Sequence, residues 1–188
     1  MTTERSSPLS TLQTLFPREG GYNFEEIELF NIILDCHRNA AVTNDCVSSS
    51  AFRCSLIGGA DLPVNFIAGI STVGVRHAPV TAARQVLYEA KNYDDIIKSG
   101  GVVPGFGNQF FRDQIDPSFK PAYDALPEGY RSELDQIALS ICREHQNYTI
   151  FPNAAGITAA VADVLDLPFG AEFMIFLIGR GAGWITFA

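Results

Sequence analysis

Three stretches of this chain are apolar around nearly the whole turn of a helix, and that most narrows what it can fold into. Val64 to Val73, Gly156 to Leu165 and Ala171 to Ile178 carry few polar side chains. A helix apolar on every side has to be enclosed, either at the centre of a core or between subunits. No segment alternates with period two for long enough to specify a strand. The expectation is an all-α protein, with these helices at its centre or at the interface of a homodimer.

The rest of the chain repeats at helical spacing. Asn23, followed by Glu25 and Glu26, is a start signal for a helix carrying Phe24, Ile27, Phe30, Ile33 and Leu34, expected to end near Cys36 to Asn39. A second helix is expected from about Cys46 to the Gly58-Gly59 pair. Asp61-Leu62-Pro63 opens a third, expected to be buried on most sides. Pro79 opens another with Ala83, Val86, Leu87 and Ala90 on one face, and Gly100-Gly101 precede a loop over Val102 to Gly107. Tyr130 to His145 is amphipathic, with Leu134, Ile137, Ala138 and Ile141 facing in. The Gly-rich run after Ile178 reads as a loop. Residues 1–22, rich in Ser, Thr and Gly, read as an N-terminal arm with one short helix near Leu9 to Phe16; residues 23–188 read as one helical domain.

Composition excludes several functions. The chain has 21 acidic against 13 basic residues and a formal charge of -8, the wrong sign for a nucleic-acid backbone partner. Its longest apolar runs stop well short of the roughly 20 residues that cross a bilayer, so no membrane partner is expected. Met1 to Pro8 is polar and lacks an apolar signal core, which makes the cytoplasm the expected compartment. Cys36, Cys46, Cys54 and Cys142 have neither C-x-x-C spacing nor a paired histidine nearby, so they read as free thiols, with no metal site.

Three further stretches carry a resemblance. Arg53 through His77 reads RCSLIGGADLPVNFIAGISTVGVRH. Val103-Pro104-Gly105-Phe106-Gly107-Asn108 is followed by Asp116-Pro117. Phe151-Pro152-Asn153-Ala154-Ala155-Gly156-Ile157 is followed by Ile178-Gly179-Arg180-Gly181-Ala182-Gly183-Trp184-Ile185. In this order they resemble the citrate synthase and citryl-CoA lyase superfamily over roughly Phe24 to Ala188. The resemblance implies a shortened version of that helical fold, built as an intertwined dimer.

Family catalysis, as the resemblance implies it, uses two histidines and an aspartate. The aspartate removes a proton from an acyl thioester, one histidine holds the enol oxygen and the other polarises the partner carbonyl. His77 stands at the first histidine. Asn108 stands at the second, and Ala155 at the aspartate. The glycine pair after the first histidine is Ala78-Pro79, and the family's arginine in G-R-x-x-G-W-I remains as Arg180. Asn108 cannot transfer a proton at neutral pH, but its amide can donate to an oxyanion, as can His77. Arg180 would hold a carboxylate. By resemblance, Val103, Pro104, Gly105, Phe106 and Gly107 would pack on CoA or a pantetheine thioester, with Arg112 at its phosphates.

Each residue also has a plainer reading. His77 could satisfy backbone groups at a helix start, Asn108 could be a turn residue, Arg180 could cap a helix C-terminus, and the glycine loop could be a simple connection. His37, on the first long helix, is a weaker candidate for the site. Without a carboxylate at Ala155, ordinary citrate synthesis is not expected. The expected function is a diverged enzyme that acts on an acyl thioester, or a related β-hydroxy or β-keto acid, by stabilising an enolate or oxyanion. The alternatives are a ligand-binding pseudoenzyme, or a subunit completing the site of an intact paralogue.

Overall fold

The computed structural model describes residues 10–43, 46–74, 77–145 and 149–188. Residues 1–9, where the arm begins, lie outside the described residues. Among the described residues there are ten α-helices and no strand; pairing outside helices is limited to the isolated bridges Gly74–His77 and Phe106–Pro152. The helices are α1 (Thr11–Leu15), α2 (Phe24–Thr43), α3 (Val47–Ile57), α4 (Leu62–Ser71) and α5 (Val80–Arg84), which continues as a π-helical turn over Gln85–Glu89. Then follow α6 (Tyr93–Lys98), α7 (Lys120–Ala125), α8 (Glu128–Glu144), α9 (Ala154–Val164) and α10 (Ala171–Trp184). Among them no helix is long and apolar enough to cross a membrane.

At the start of α2, Asn23 Oδ1 accepts from the Glu26 N–H at 2.9 Å and Glu26 accepts from the Asn23 N–H at 2.7 Å. That reciprocal pair satisfies donors which the first turn leaves open. The helix runs past its expected end to Thr43, because Ala40 and Ala41 are buried and extend its packed face. Before it, Leu12 of α1 is buried in the main core and Tyr22 Oη donates to the Phe16 carbonyl. Residues 10–22 are therefore packed onto the domain.

At the centre lies α9, buried without interruption from Ala155 to Ala162. Its small side chains let neighbours approach from every direction. Gly105, at φ 97°, lies so close to Gly156 that a Cβ on either residue would strike the other's backbone. α10 also differs from expectation. It does not break at Gly179 but stays helical to Trp184, which puts Arg180 inside a helix and not at a C-terminus. A Cβ at Gly179 would sit 2.5 Å from His37 Cβ, and one at Gly183 would sit 2.5 Å from the Arg38 carbonyl. Glycine costs helix propensity there but lets α10 lie against α2.

Contrary to expectation, α4 is not buried on most sides of the single chain. Asn65 and Gly69 face inward, with Gly69 against the Trp184 ring, while Leu62, Val64 and Ile67 are exposed, Ile67 at 65%. Among the described residues α3 and the Trp184 ring of α10 cover its inner face, where Phe66 of α4 packs with Phe52 and Trp184.

Gly183→Ala is expected to destabilise the fold by about 1–3 kcal/mol, since two backbones must part, even though alanine is the better helix former. Gly129→Ala is the control. A Cβ there, on the first turn of α8, meets nothing within 4 Å, and urea unfolding should show it neutral to slightly stabilising.

Candidate functional site

One cavity of about 800 Å³ opens where α2, α3, α9 and α10 meet the loops before α5 and before α7. His77, Asn108 and Arg180, which are far apart in sequence, all line it, as does Ala155. Of the loop residues expected to hold CoA, only Gly107 reaches this wall. Val103 and Phe106 are core residues at the edge of a separate cavity of about 240 Å³. Pro104 and Gly105 line neither cavity, and Arg112 is exposed and lines neither. The glycines of this loop serve packing: the Gly105 carbonyl accepts from the Asn153 N–H, and the Gly107 carbonyl accepts from Asn153 Nδ2 at 2.8 Å.

Asn108 lies on the cavity wall and is also a turn residue. Its Oδ1 accepts from the N–H groups of Phe110 at 2.9 Å and Phe111 at 3.3 Å, an Asx turn. That fixes the oxygen and leaves the amide hydrogens to donate elsewhere. His77 Nε2 lies 3.0 Å from Ser48 Oγ and accepts from the Ser48 N–H at 3.4 Å. In the neutral ring this assigns the proton to Nδ1, which stays a donor. The next residue, Ala78, has φ 52°, a left-handed conformation costing a side-chain-bearing residue about 1 kcal/mol. It holds His77 on the cavity wall at the place where the family pattern has glycine.

Arg180 is 6% exposed, and no described carboxylate lies within ion-pair distance of it. Its Nη1 donates to Cys46 Sγ at 3.6 Å, and its Nε has no partner. A buried guanidinium with an unpartnered Nε on the cavity wall is suited to an anionic ligand. Helices α3 and α9 both begin at this cavity, and their positive ends reinforce the preference.

Sequence reasoning missed two lining residues and undervalued a third. Cys46, dismissed as an ordinary free thiol, N-caps α3 beside Ser48, Ser49 and Arg180. Asp116 is the one described carboxylate on the wall, buried, with Oδ1 accepting from the Ser118 N–H. Its D-P motif could have marked it. His37, the weak candidate, is completely buried at the cavity. Thr158 Oγ1 donates to the Ala154 carbonyl, so His37 Nε2–H donates to Thr158 Oγ1 at 2.8 Å and Nδ1 is left as an unpartnered acceptor. Burial, reinforced by the charge of Arg180, holds the ring neutral, well below the ordinary histidine range. Asp163, a conceivable substitute for the family aspartate, is turned away to Arg84 and Tyr130. Among the described residues no group of three or more His, Cys, Asp or Glu could hold a metal ion.

No protein-family model and no curated protein matches the chain. Solved structures do. One is citryl-CoA lyase from Hydrogenobacter thermophilus, with a TM-score of 0.75 and 19% identity, covering 97% of this chain and 75% of that one. The chain has the fold of that lyase.

The buried neutral His37 predicts a pH dependence. Its folded pKa is depressed, so its stabilising contribution is full above the unfolded value near 6.5 and is lost as pH falls below it, at about 1.4 kcal/mol per pH unit. His37→Gln can still donate to Thr158 and should lessen the fall in Tm between pH 6.5 and 5. An unchanged slope would mean that His37 is protonated in the fold.

Proposed function

We propose that this protein is a diverged citrate-synthase-like enzyme that makes or breaks a carbon–carbon bond in a carboxylate-bearing acyl thioester. The observation that carries the reading is the convergence of His77, Asn108 and Arg180 on one cavity, in a chain with the fold of a citryl-CoA lyase. Arg180 holds the substrate carboxylate. His77 Nδ1–H and the Asn108 amide stabilise the developing oxyanion, and Ala155 offers no base for an acidic C–H.

Cleavage fits this set better than synthesis. Splitting a β-hydroxyacyl thioester begins with a hydroxyl proton, not a carbon-bound one, which a group on the wall accepts, and the carbon of the enolate then takes a proton from water. Among the described residues Asp116 is the carboxylate on the wall that can take the hydroxyl proton. The fragment that departs is an enolate, whose oxygen is the atom the two donors serve. CoA, or a carrier's pantetheine, would deliver the acyl group through the open side of the cavity. A second reading, a pseudoenzyme that binds such ligands without turning them over, rests on the loss of proton-transferring groups at Ala155 and Asn108.

The reading extends to a dimer. The exposed apolar face of α4 carries no charged side chain, and a second copy of this chain is its proposed cover. Light scattering should find a dimer, and Ile67→Asp should convert it to monomer.

The decisive experiment incubates the purified protein with citryl-CoA and related β-hydroxyacyl-CoAs, followed by product analysis. His77→Ala and Asn108→Ala should each lose about 10²–10³ in rate with Tm unchanged, and Arg180→Ala should raise KM. No citrate should form from acetyl-CoA and oxaloacetate. Binding without products would move the conclusion to the pseudoenzyme.

A further inference from the structure

We propose that Cys46 is an acyl-accepting nucleophile, whose sulfur takes the acyl group from a thioester substrate and holds it covalently inside the cavity. The proposal rests on the acyl-thioester reading of the site. It goes beyond that reading, which asks nothing of a cysteine.

Geometry makes the case. Cys46 lines the cavity as the N-cap of α3, so its sulfur lies at the positive end of an eleven-residue helix. Ser49 Oγ is 3.2 Å from Sγ, Ser48 Oγ 3.4 Å and Arg180 Nη1 3.6 Å. Cations, hydroxyls and helix N-termini are the surroundings that turn a thiol into a thiolate. Independent of the cysteine, two buried polar groups on the same wall lack partners: Arg180 Nε and His37 Nδ1. They point to an absent ligand that carries both an anion and a hydrogen-bond donor. A carboxylate held by Arg180 would set the rest of an acyl chain beside Sγ.

The electrostatic surroundings agree. Burial alone would push the Cys46 thiol up, but hydrogen bonding to His77, the charge of Arg180 and the hydroxyls of Ser48 and Ser49 bring it down to about 5. Of the described residues, the titratable and charged groups sharing this cavity are His77 from the loop before α5, Arg180 from α10, His37 from α2 and Asp116 from the loop before α7.

The step balances without redox chemistry. The thiolate adds to the thioester carbonyl, and the oxyanion so formed meets the donors of His77 and Asn108. Collapse breaks the bond to the carrier sulfur, which departs as a thiolate and takes a proton from water. Because the Cys46 thiolate is weakly basic, it is also a good leaving group, and the acyl group passes on readily.

Two measurements on the full chain test this. In the first, iodoacetamide alkylation is followed by peptide mass spectrometry. At pH 6 a group titrating at about 5 is roughly 300-fold more ionised than an ordinary thiol, and lower intrinsic nucleophilicity trims the advantage to about tenfold. Cys46 should therefore react about tenfold faster than N-acetylcysteine at pH 6, with a rate nearly flat to pH 8. In the second, the protein is acid-quenched after incubation with excess succinyl-CoA. It should gain one hydroxylamine-labile succinyl group on Cys46, which is absent in Cys46→Ala and Cys46→Ser, with circular dichroism confirming that the variants fold. Alkylation that climbs steeply toward pH 9 overturns the proposal, and so does fast alkylation without acylation. Neither result touches the binding and cleavage assays of the proposed function. Conversely, acylated Cys46 with no carbon–carbon chemistry would sink that function and leave the nucleophile standing.

Discussion

The close approach of α10 to α2 is the constraint on which the rest depends. Gly179 and Gly183 face α2 one turn apart, and the backbone of α2 occupies the space where their side chains would be. This contact seats His37 and Arg180 on neighbouring helices beside one cavity. Each would be costly to bury alone. Burial favours the neutral imidazole, while the guanidinium keeps a charge that, among the described residues, meets the Cys46 sulfur and the face of the Phe176 ring. The fold thus spends stability on a polar interior, and its dense alanine and glycine packing elsewhere offsets that cost.

A second constraint lies on the opposite wall. Helix α9 is slender because its side chains are small, and Gly105 and Gly156 let the loop between α6 and α7 press against its first turn. Asn153 binds that turn at the Ala155 and Gly156 N–H groups and also holds the Gly107 carbonyl. Asn108, next along the chain, is thereby fixed at the rim. The glycines placed in this loop by the sequence pattern therefore act first as architecture.

Much of the fold was legible in the sequence. Asn23, Asp61 and Pro79 signalled helix starts that the structure shows, and the inward face of α8 is the one its periodicity gives. The errors have physical causes. Glycine was read as a helix stop at Gly179, where it is a packing device. The short helices α6 and α7, six residues each, are too brief for a periodic signal. The exposure of α4 was not legible, since an apolar stripe does not say whether its cover comes from the same chain. At the site, His77, Asn108 and Arg180 could be named only through the family resemblance of their motifs, and the structure brings all three to one cavity. Cys46 could not, because its character comes from Arg180, distant in sequence, and from a helix end whose direction only the folded chain reveals.

One bond in the aromatic cluster reaches further than its position suggests. Trp184 Nε1–H donates to Ser49 Oγ at 3.1 Å, and Ser49 Oγ is also the nearest hydroxyl to the Cys46 sulfur. Ser49 Oγ therefore accepts from both the indole N–H and the Cys46 Sγ–H, and the indole competes for the oxygen on which the thiol relies. The stacking of Trp184 on Phe52 thus fixes the indole that shares this acceptor with the Cys46 thiol. Sulfur basicity and the packing of the terminal helix turn become two readings of one arrangement. A subtle repacking around the indole would retune the thiol without any atom of the cluster entering the cavity.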